Sequence, residues 1–454
     1  MTMAPTLSAR IGSFAAGLSL ENLPAPVVEK ARTCLLNAYG MALNGHATAF
    51  APVARRMALE VGGDLPQGVT LLGDGRRTAM AGALVANSAL FHGRAQEDTC
   101  GAAHFGTILV PLLTALAETR GCPLDRLIPA LVAGYEAGGL LEAAFAGQTT
   151  PAGFRSTATY GAVAAAAGAS RMLGLDAPTT AAAIAIAVSF TGGVLQSFAD
   201  GTDEWRYQPG VAAHNGLVAA ELARAGAVPA PHAIEGKAGL ARAFARTDAP
   251  ADLAATLGTD WATLRVTFKP YPVCAFNQTP VTGALALRET LAGTAPTAVR
   301  VRMNPYETGY AGMDAVGPFN SISGTLMSIP FCIATTLVHG APTTRRMTTY
   351  DDPEVAALIA RITLVPDAAV PVLCAVIEAD TPAGPVVRTQ SMTTTDYAYD
   401  RAPLAALLRR IGAEEGVAPA AFDRLEAFVE GLPQGRITDA VEAFALPLAV
   451  AASN

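Results

Sequence analysis

The chain has 454 residues, of which 51% are hydrophobic and only 15% charged, with a net charge of −7. Its length suits two domains better than one. A pI near 5.5 and the lack of any cluster of Lys and Arg exclude nucleic acid as a partner; a polybasic membrane anchor is excluded on the same ground. The apolar excess is largely alanine, which favours helices that approach closely. A mean hydropathy of +0.34 points to further surface buried in an oligomer.

Residues 1–10 contain no apolar run long enough for a signal peptide, so the cytoplasm is the expected location. Helical spacing of Val27, Val28, Ala31, Cys34, Leu35 and Ala38 predicts a helix over 25–43. Further helices are predicted over 79–91, 107–119, 125–145, 157–173, 179–198 and 211–225. Pro229 and Pro231 close the set. After Trp261 the texture changes. The alternation at 299–303 predicts a half-buried strand, with others at 362–365, 373–380 and 386–391, the last two flanking a turn at 381–385. Helical stretches fall at 327–338 and 353–361, and the tail over 403–446 is helical again.

Two uncharged stretches, 177–199 and 315–344, are diluted by Gly, Pro and hydroxyl residues and read as buried core, so no membrane is expected. The six cysteines, Cys34, Cys100, Cys122, Cys274, Cys332 and Cys374, show no C-x-x-C spacing. Neither a metal site, nor an iron–sulfur cluster, nor a disulfide framework is expected. Phosphate-loop, H-E-x-x-H and G-x-S-x-G motifs do not occur.

Four polar segments interrupt the apolar helices. Segment 92–104 (HGRAQEDTCGAAH) holds Glu97, Asp98, Thr99 and His104, suited to acid–base work beside a cavity, or equally to helix capping by Asp98 or Thr99. Segment 153–157 (GFRST) offers Arg155 as a carboxylate clamp at a helix start, with Ser156 as a cap; the plain alternative is a surface arginine. Segment 200–210 (DGTDEWRYQPG) gathers Trp205, Arg206 and Tyr207, and could be an ordinary connection. Segment 268–274 (FKPYPVC) carries Lys269 between two prolines, as a pocket residue or as a solvated linker.

In this order the segments resemble the MmgE/PrpD family. The likeness also covers 104–118, Gly134-Tyr135-Glu136, 153–175, 209–216, Lys269-Pro270-Tyr271-Pro272 and Ser328-Ile329-Pro330-Phe331. The resemblance implies a mainly α fold: a large helical domain over 1–265, joined by 403–454, and a smaller α+β lid domain over 266–402. It implies a site in the cleft between them and a homodimer. His104, Lys269 and Asp98 become the expected catalytic residues. Glu97, Thr99, Arg155, Ser156, Trp205, Arg206, Tyr207 and Cys274 become the expected substrate-binding residues.

The chain departs from the family pattern at three points. Ala95 replaces the first carboxylate of the acidic loop, Arg155 stands where decarboxylase-like members have a second histidine, and Trp205 stands in place of a common lysine. A tricarboxylate needs several cations, because desolvating unpaired carboxylates is costly. Exchanging an ammonium for an indole therefore predicts a substrate with fewer carboxylates, bulkier or cyclic. The expected activity is that of a lyase or isomerase without cofactor or metal, which moves a proton next to a carboxylate. Dehydration, decarboxylation and epimerisation all share that plan. A repurposed cyclase or isomerase on this scaffold, or a ligand-binding paralogue without catalysis, are the alternatives.

Overall fold

The computed structural model describes residues 5–445. The end of the expected helical tail (446), the rest of the 403–454 segment beyond 445, and the first four residues of the N-terminal reading lie outside the described residues. The fold is mainly α, with twenty α-helices among the described residues and a small mixed sheet.

The chain forms two compact units. The first holds the residues up to Val194, Arg206–Phe268, and those from Tyr399 onward; the second holds Leu195–Trp205 and Lys269–Ala398. Residues 195–205, expected within the helical domain, fall in the second unit instead. Hydrogen bonds attach that segment to the second unit: Ser321 Oγ donates to the Gly201 carbonyl, Trp205 Nε1 donates to Ser323 Oγ at 3.2 Å, and Ser323 Oγ donates to Asp203 Oδ1 at 2.8 Å.

Within the first unit the alanine-rich helix Ser156–Leu173 is the hub, with only Arg171 and Leu173 not buried. Leu127–Thr149, Gln208–Arg224, Gly106–Arg120 and Ala177–Val188 pack around it. The approach is close because the facing residues are small. A Cβ on Gly216 would lie 2.3 Å from Ala165 Cβ and 2.6 Å from the Ala162 carbonyl oxygen. Helix Ala25–Asn44 packs against Arg401–Glu414 and Pro419–Glu430, whose Leu404, Leu408, Ile411, Phe422 and Leu425 join the same core. A short antiparallel ribbon, β1 (Val69–Thr70) with β2 (Arg77–Thr78), completes this unit.

The predicted helix at 179–198 is shorter in the structure. Asp176 caps its start by accepting from the Thr179 N–H, and the helix ends at Val188. Gly193, at φ +115°, then turns the chain in a way that few other residues adopt. One helix among the described residues, Leu124–Thr149, is long and apolar enough to cross a membrane, and 89% of its most apolar window is buried.

The second unit is built on a four-stranded sheet. Its strands are β3 (Ala298–Met303), β4 (Ile362–Pro366), β5 (Cys374–Thr381) and β6 (Gly384–Ser391), in the order β4-β3-β5-β6. β3 runs parallel to β4 and antiparallel to β5, which pairs antiparallel with β6. The alternation read at 299–303 holds: Val299, Val301 and Met303 face the core, while Arg300 reaches Glu378 at 3.1 Å and Asp380 at 2.8 Å. Helix Gln278–Leu291 covers β5 and β6, and Ile329–His339 packs on that helix.

Candidate active site

The first unit gathers its polar side chains around the loop that joins helix Met80–Phe91 to helix Gly106–Arg120. Helix Met80–Phe91 ends at His92, whose ring is fully buried. Arg206 holds this end of the loop. Its Nη1 donates to the carbonyls of His92 and Gly93 at 3.0 and 2.8 Å, while its guanidinium stacks 3.8 Å from the Phe50 ring centroid. Further on, Arg94 Nε and Nη2 donate to Gln96 Oε1 at 3.0 and 2.9 Å, and Arg94 pairs with Glu415. The other end is tied by Thr99, which exchanges backbone hydrogen bonds with Thr267 at 2.8 and 2.9 Å.

The arrangement fixes two imidazoles around one carboxylate. Glu97 Oε2 lies 3.1 Å from His92 Nδ1 in a bent approach, and Glu97 Oε1 lies 3.5 Å from His104 Nδ1. The two rings are 5.5 Å apart between centroids. His104 Nδ1 is 2.8 Å from the Asp98 carbonyl oxygen. A carbonyl only accepts, so Nδ1 carries the hydrogen and a neutral His104 has its lone pair on Nε2. His104 keeps 15% of its side chain exposed, whereas Glu97 is buried. This ring can take up and return a proton at Nε2, with an anion close behind it.

Asp98 thus orients His104 through its backbone. Its carboxylate is turned elsewhere: Tyr135 Oη donates to Asp98 Oδ2, and Oδ1 faces the first turn of Gly106–Arg120. A Cβ at Gly106 would come within 2.4 Å of Asp98 Oδ1, so a helix start, where anions are favoured, approaches the carboxylate directly. Neither Asp98 nor Thr99 caps that helix, because its N-cap residue is Phe105.

Arg155 is buried rather than a surface arginine, and it occupies the N-cap position of Ser156–Leu173. Its Nη2 lies 2.7 Å from His92 Nε2, and its Nη1 donates to Gln208 Oε1 at 3.3 Å. Ser156, expected as the cap, is instead the first helical residue, and the cap position makes no side-chain hydrogen bond. Tyr207 holds the N-cap position of Gln208–Arg224 and packs half-buried on the core.

Lys269, Trp205 and Cys274 belong to the second unit. Trp205 is buried, and Ser323 Oγ, which accepts from its indole, donates in turn to Asp203 Oδ1 at 2.8 Å. Phe198 packs on the indole at 5.1 Å. Lys269 is buried where the second unit resumes. Cys274 donates its N–H to the Leu326 carbonyl at 3.0 Å, just before the turn Ala275–Asn277. Among the described residues no three His, Cys, Asp or Glu side chains are grouped to hold a metal ion.

Sequence reasoning left out His92 as a functional residue. Burial pushes it down to about 4, against the opposing influence of Glu97. Only its place at the head of the HGRAQEDT segment could have drawn attention to it.

The N-terminal domain model of MmgE/PrpD proteins matches residues 9–252, and the C-terminal domain model matches 271–410. A cis-aconitate decarboxylase of Aspergillus terreus is 25% identical over 391 residues, covering 79% of this chain and 78% of its own. A cis-aconitate decarboxylase-like protein of Aspergillus oryzae is 28% identical over 282 residues, 58% of either chain. The human cis-aconitate decarboxylase is 27% identical over 283 residues, covering 61% of this chain and 58% of its own. The match thus spans less than two thirds of the Aspergillus oryzae and human relatives.

Proposed function

The chain belongs to the MmgE/PrpD family, and from that membership we propose that it is a lyase or isomerase moving a proton at the carbon next to a carboxylate. The observation that carries this reading is the fixed ring of His104, with Nδ1 on the Asp98 carbonyl and Glu97 at 3.5 Å. His104 Nε2 takes the proton, and the electron pair of the broken C–H bond moves into the carboxylate as an enolate. Glu97 stabilises the imidazolium that forms. Lys269 is the proposed ammonium for the substrate carboxylate, where it offsets the developing charge. The pair then expels a leaving group, or takes a proton from solvent on the opposite face while His104 releases its own to solvent. Where carbon dioxide leaves instead, the C–C bond breaks, its electron pair stays on the substrate carbon, and His104, starting as the imidazolium beside Glu97, gives that carbon its proton.

The relatives' printed activity makes decarboxylation the first reaction to try. Trp205, where the family pattern has a lysine, favours a substrate with fewer charges than cis-aconitate. Strong turnover of cis-aconitate or methylcitrate overturns that part. We further propose a cytoplasmic homodimer, supported by the exposed stripe Val53, Met57 and Val61 on helix Phe50–Gly62. Light scattering on the purified chain should return twice the chain mass.

The test of function is a thermal-shift screen of small mono- and dicarboxylates, followed by deuterium exchange from solvent on each hit. His104→Ala should slow exchange or turnover about 10²- to 10⁴-fold. Undiminished turnover removes the proposed role of His104. Binding without exchange for every hit favours a ligand-binding paralogue.

A further inference from the structure

We propose that Arg155 locks His92 in the tautomer bearing its hydrogen on Nδ1, and that the locked imidazole positions Glu97 beside His104. A guanidinium has only donors, so at 2.7 Å His92 Nε2 must accept from Arg155 Nη2. The one hydrogen of the neutral ring is then on Nδ1, which lies 3.1 Å from Glu97 Oε2. The arginine is itself held, by Gln208 at Nη1 and by its backbone N–H on the Gly193 carbonyl at 3.1 Å. Arg206 pins the backbone beneath the ring. Burial keeps His92 neutral at physiological pH, as its depressed value of about 4 requires. The charged and titratable groups close to it are Glu97, Arg155, Arg206 and His104.

The result is a directional chain, Arg155 to His92 to Glu97 to His104. One oxygen of Glu97 lies 3.1 Å from the Nδ1 of a neutral imidazole in a bent approach, and the carboxylate keeps its negative charge for the His104 side. His92 and Arg155 are therefore positioning residues that act through Glu97. Arg155 serves this chain in place of the substrate clamp expected from its sequence position. The catalytic consequence rests on the function proposed above; the tautomer does not.

Long-range proton–nitrogen spectra of the full chain, labelled with ¹⁵N in histidine, read the tautomer directly and need no substrate. From about pH 5.5 to about pH 8, His92 should remain a single Nδ1–H tautomer while His104 titrates. A His92 found as the Nε2–H form, or protonated within that range, overturns the proposal whether or not a substrate has been identified. Arg155→Met should release His92 into a mixture of tautomers; an unchanged single tautomer in that variant refutes the lock. His92→Asn keeps a donor near the Nδ1 position and should leave the His104 midpoint near its wild-type value. His92→Leu deprives Glu97 of that donor, favours its protonated form, and should lower the His104 midpoint by about one unit. Equal midpoints in the Asn and Leu variants sink the coupling to His104. Should His92→Leu fail to fold, Arg155→Met with the wild-type spectrum still decides.

Discussion

Asp98 depends on Tyr135 for a donor to its buried carboxylate, while its carbonyl sets the ring of His104. These two duties separate by mutation. Tyr135→Phe removes the donor and should cost about 1–3 kcal/mol, seen as a lower denaturant midpoint with an unchanged slope. Asp98→Asn retains the carbonyl, so His104 should keep its Nδ1–H tautomer in the same nitrogen spectra. Part of this site was legible in the sequence. His104 and Glu97 stood out because charged groups between two apolar helices have few reasons to be there. The division of labour was not legible, since Glu97 and Asp98 are chemically alike and only the path of the loop decides which carboxylate meets an imidazole. Nor was His92, because its contact with Arg155 joins residues 63 positions apart.

At the level of elements, the packing of small residues makes sharp demands. Gly216→Val drives a branched side chain into Ala165 Cβ and the backbone at Ala162 and Ala166, all within 2.6 Å of the first added atom. Backbone cannot rotate away, so the loss should reach about 3 kcal/mol or more, measured by chemical denaturation. The contrast is Gly147, in helix Leu127–Thr149 with nothing within 4 Å of an added Cβ. Gly147→Ala should stabilise by roughly 0.5–1 kcal/mol through helix propensity alone. The long apolar helices were legible because one periodicity ran through each. Phe50–Gly62 escaped because alanines and larger apolar residues fall on both of its faces, with Ala54 and Ala58 buried and Val53, Met57 and Val61 exposed. The extra length assigned to Ala177–Val188 had the opposite cause. Residues beyond the helix carry no charge before Asp200 and still include Phe190, Val194 and Leu195, but the glycine turn outweighs the pattern.

For the molecule as a whole, buried ionisable groups set the pH dependence of stability. Burial pushes Glu142, which accepts from the Ala102 N–H at 2.8 Å, up to about 7. Glu307, which accepts from the Leu373 N–H at 3.1 Å, is also raised by burial to about 7. An acid raised in the fold binds protons more tightly there than when unfolded. Its contribution is complete below the unfolded value of 4.5 and is lost as pH rises through about 7. His92 works in the other sense. Lowered from 6.5 to about 4, it favours the fold above 6.5 and withdraws that support as pH falls toward 4. The double variant Glu142→Gln, Glu307→Gln keeps both acceptors and should abolish most of the loss on the alkaline side. Calorimetric melting between about pH 5 and about pH 8 should show the wild type declining relative to the variant; parallel curves contradict the assignment.

The pairing of helix Ala25–Asn44 with Arg401–Glu414 and Pro419–Glu430 bears on biosynthesis. Its apolar stripe leaves the ribosome long before the helices that cover it. During the synthesis of the more than 350 residues between, Tyr39 lacks its final contact with Phe428, so the first unit cannot close on the growing chain. A nascent protein with this layout relies on holdase chaperones and suffers most from premature termination. A stop codon just before Arg401 should send the product to the insoluble fraction, even though every residue of the proposed site would already have been translated.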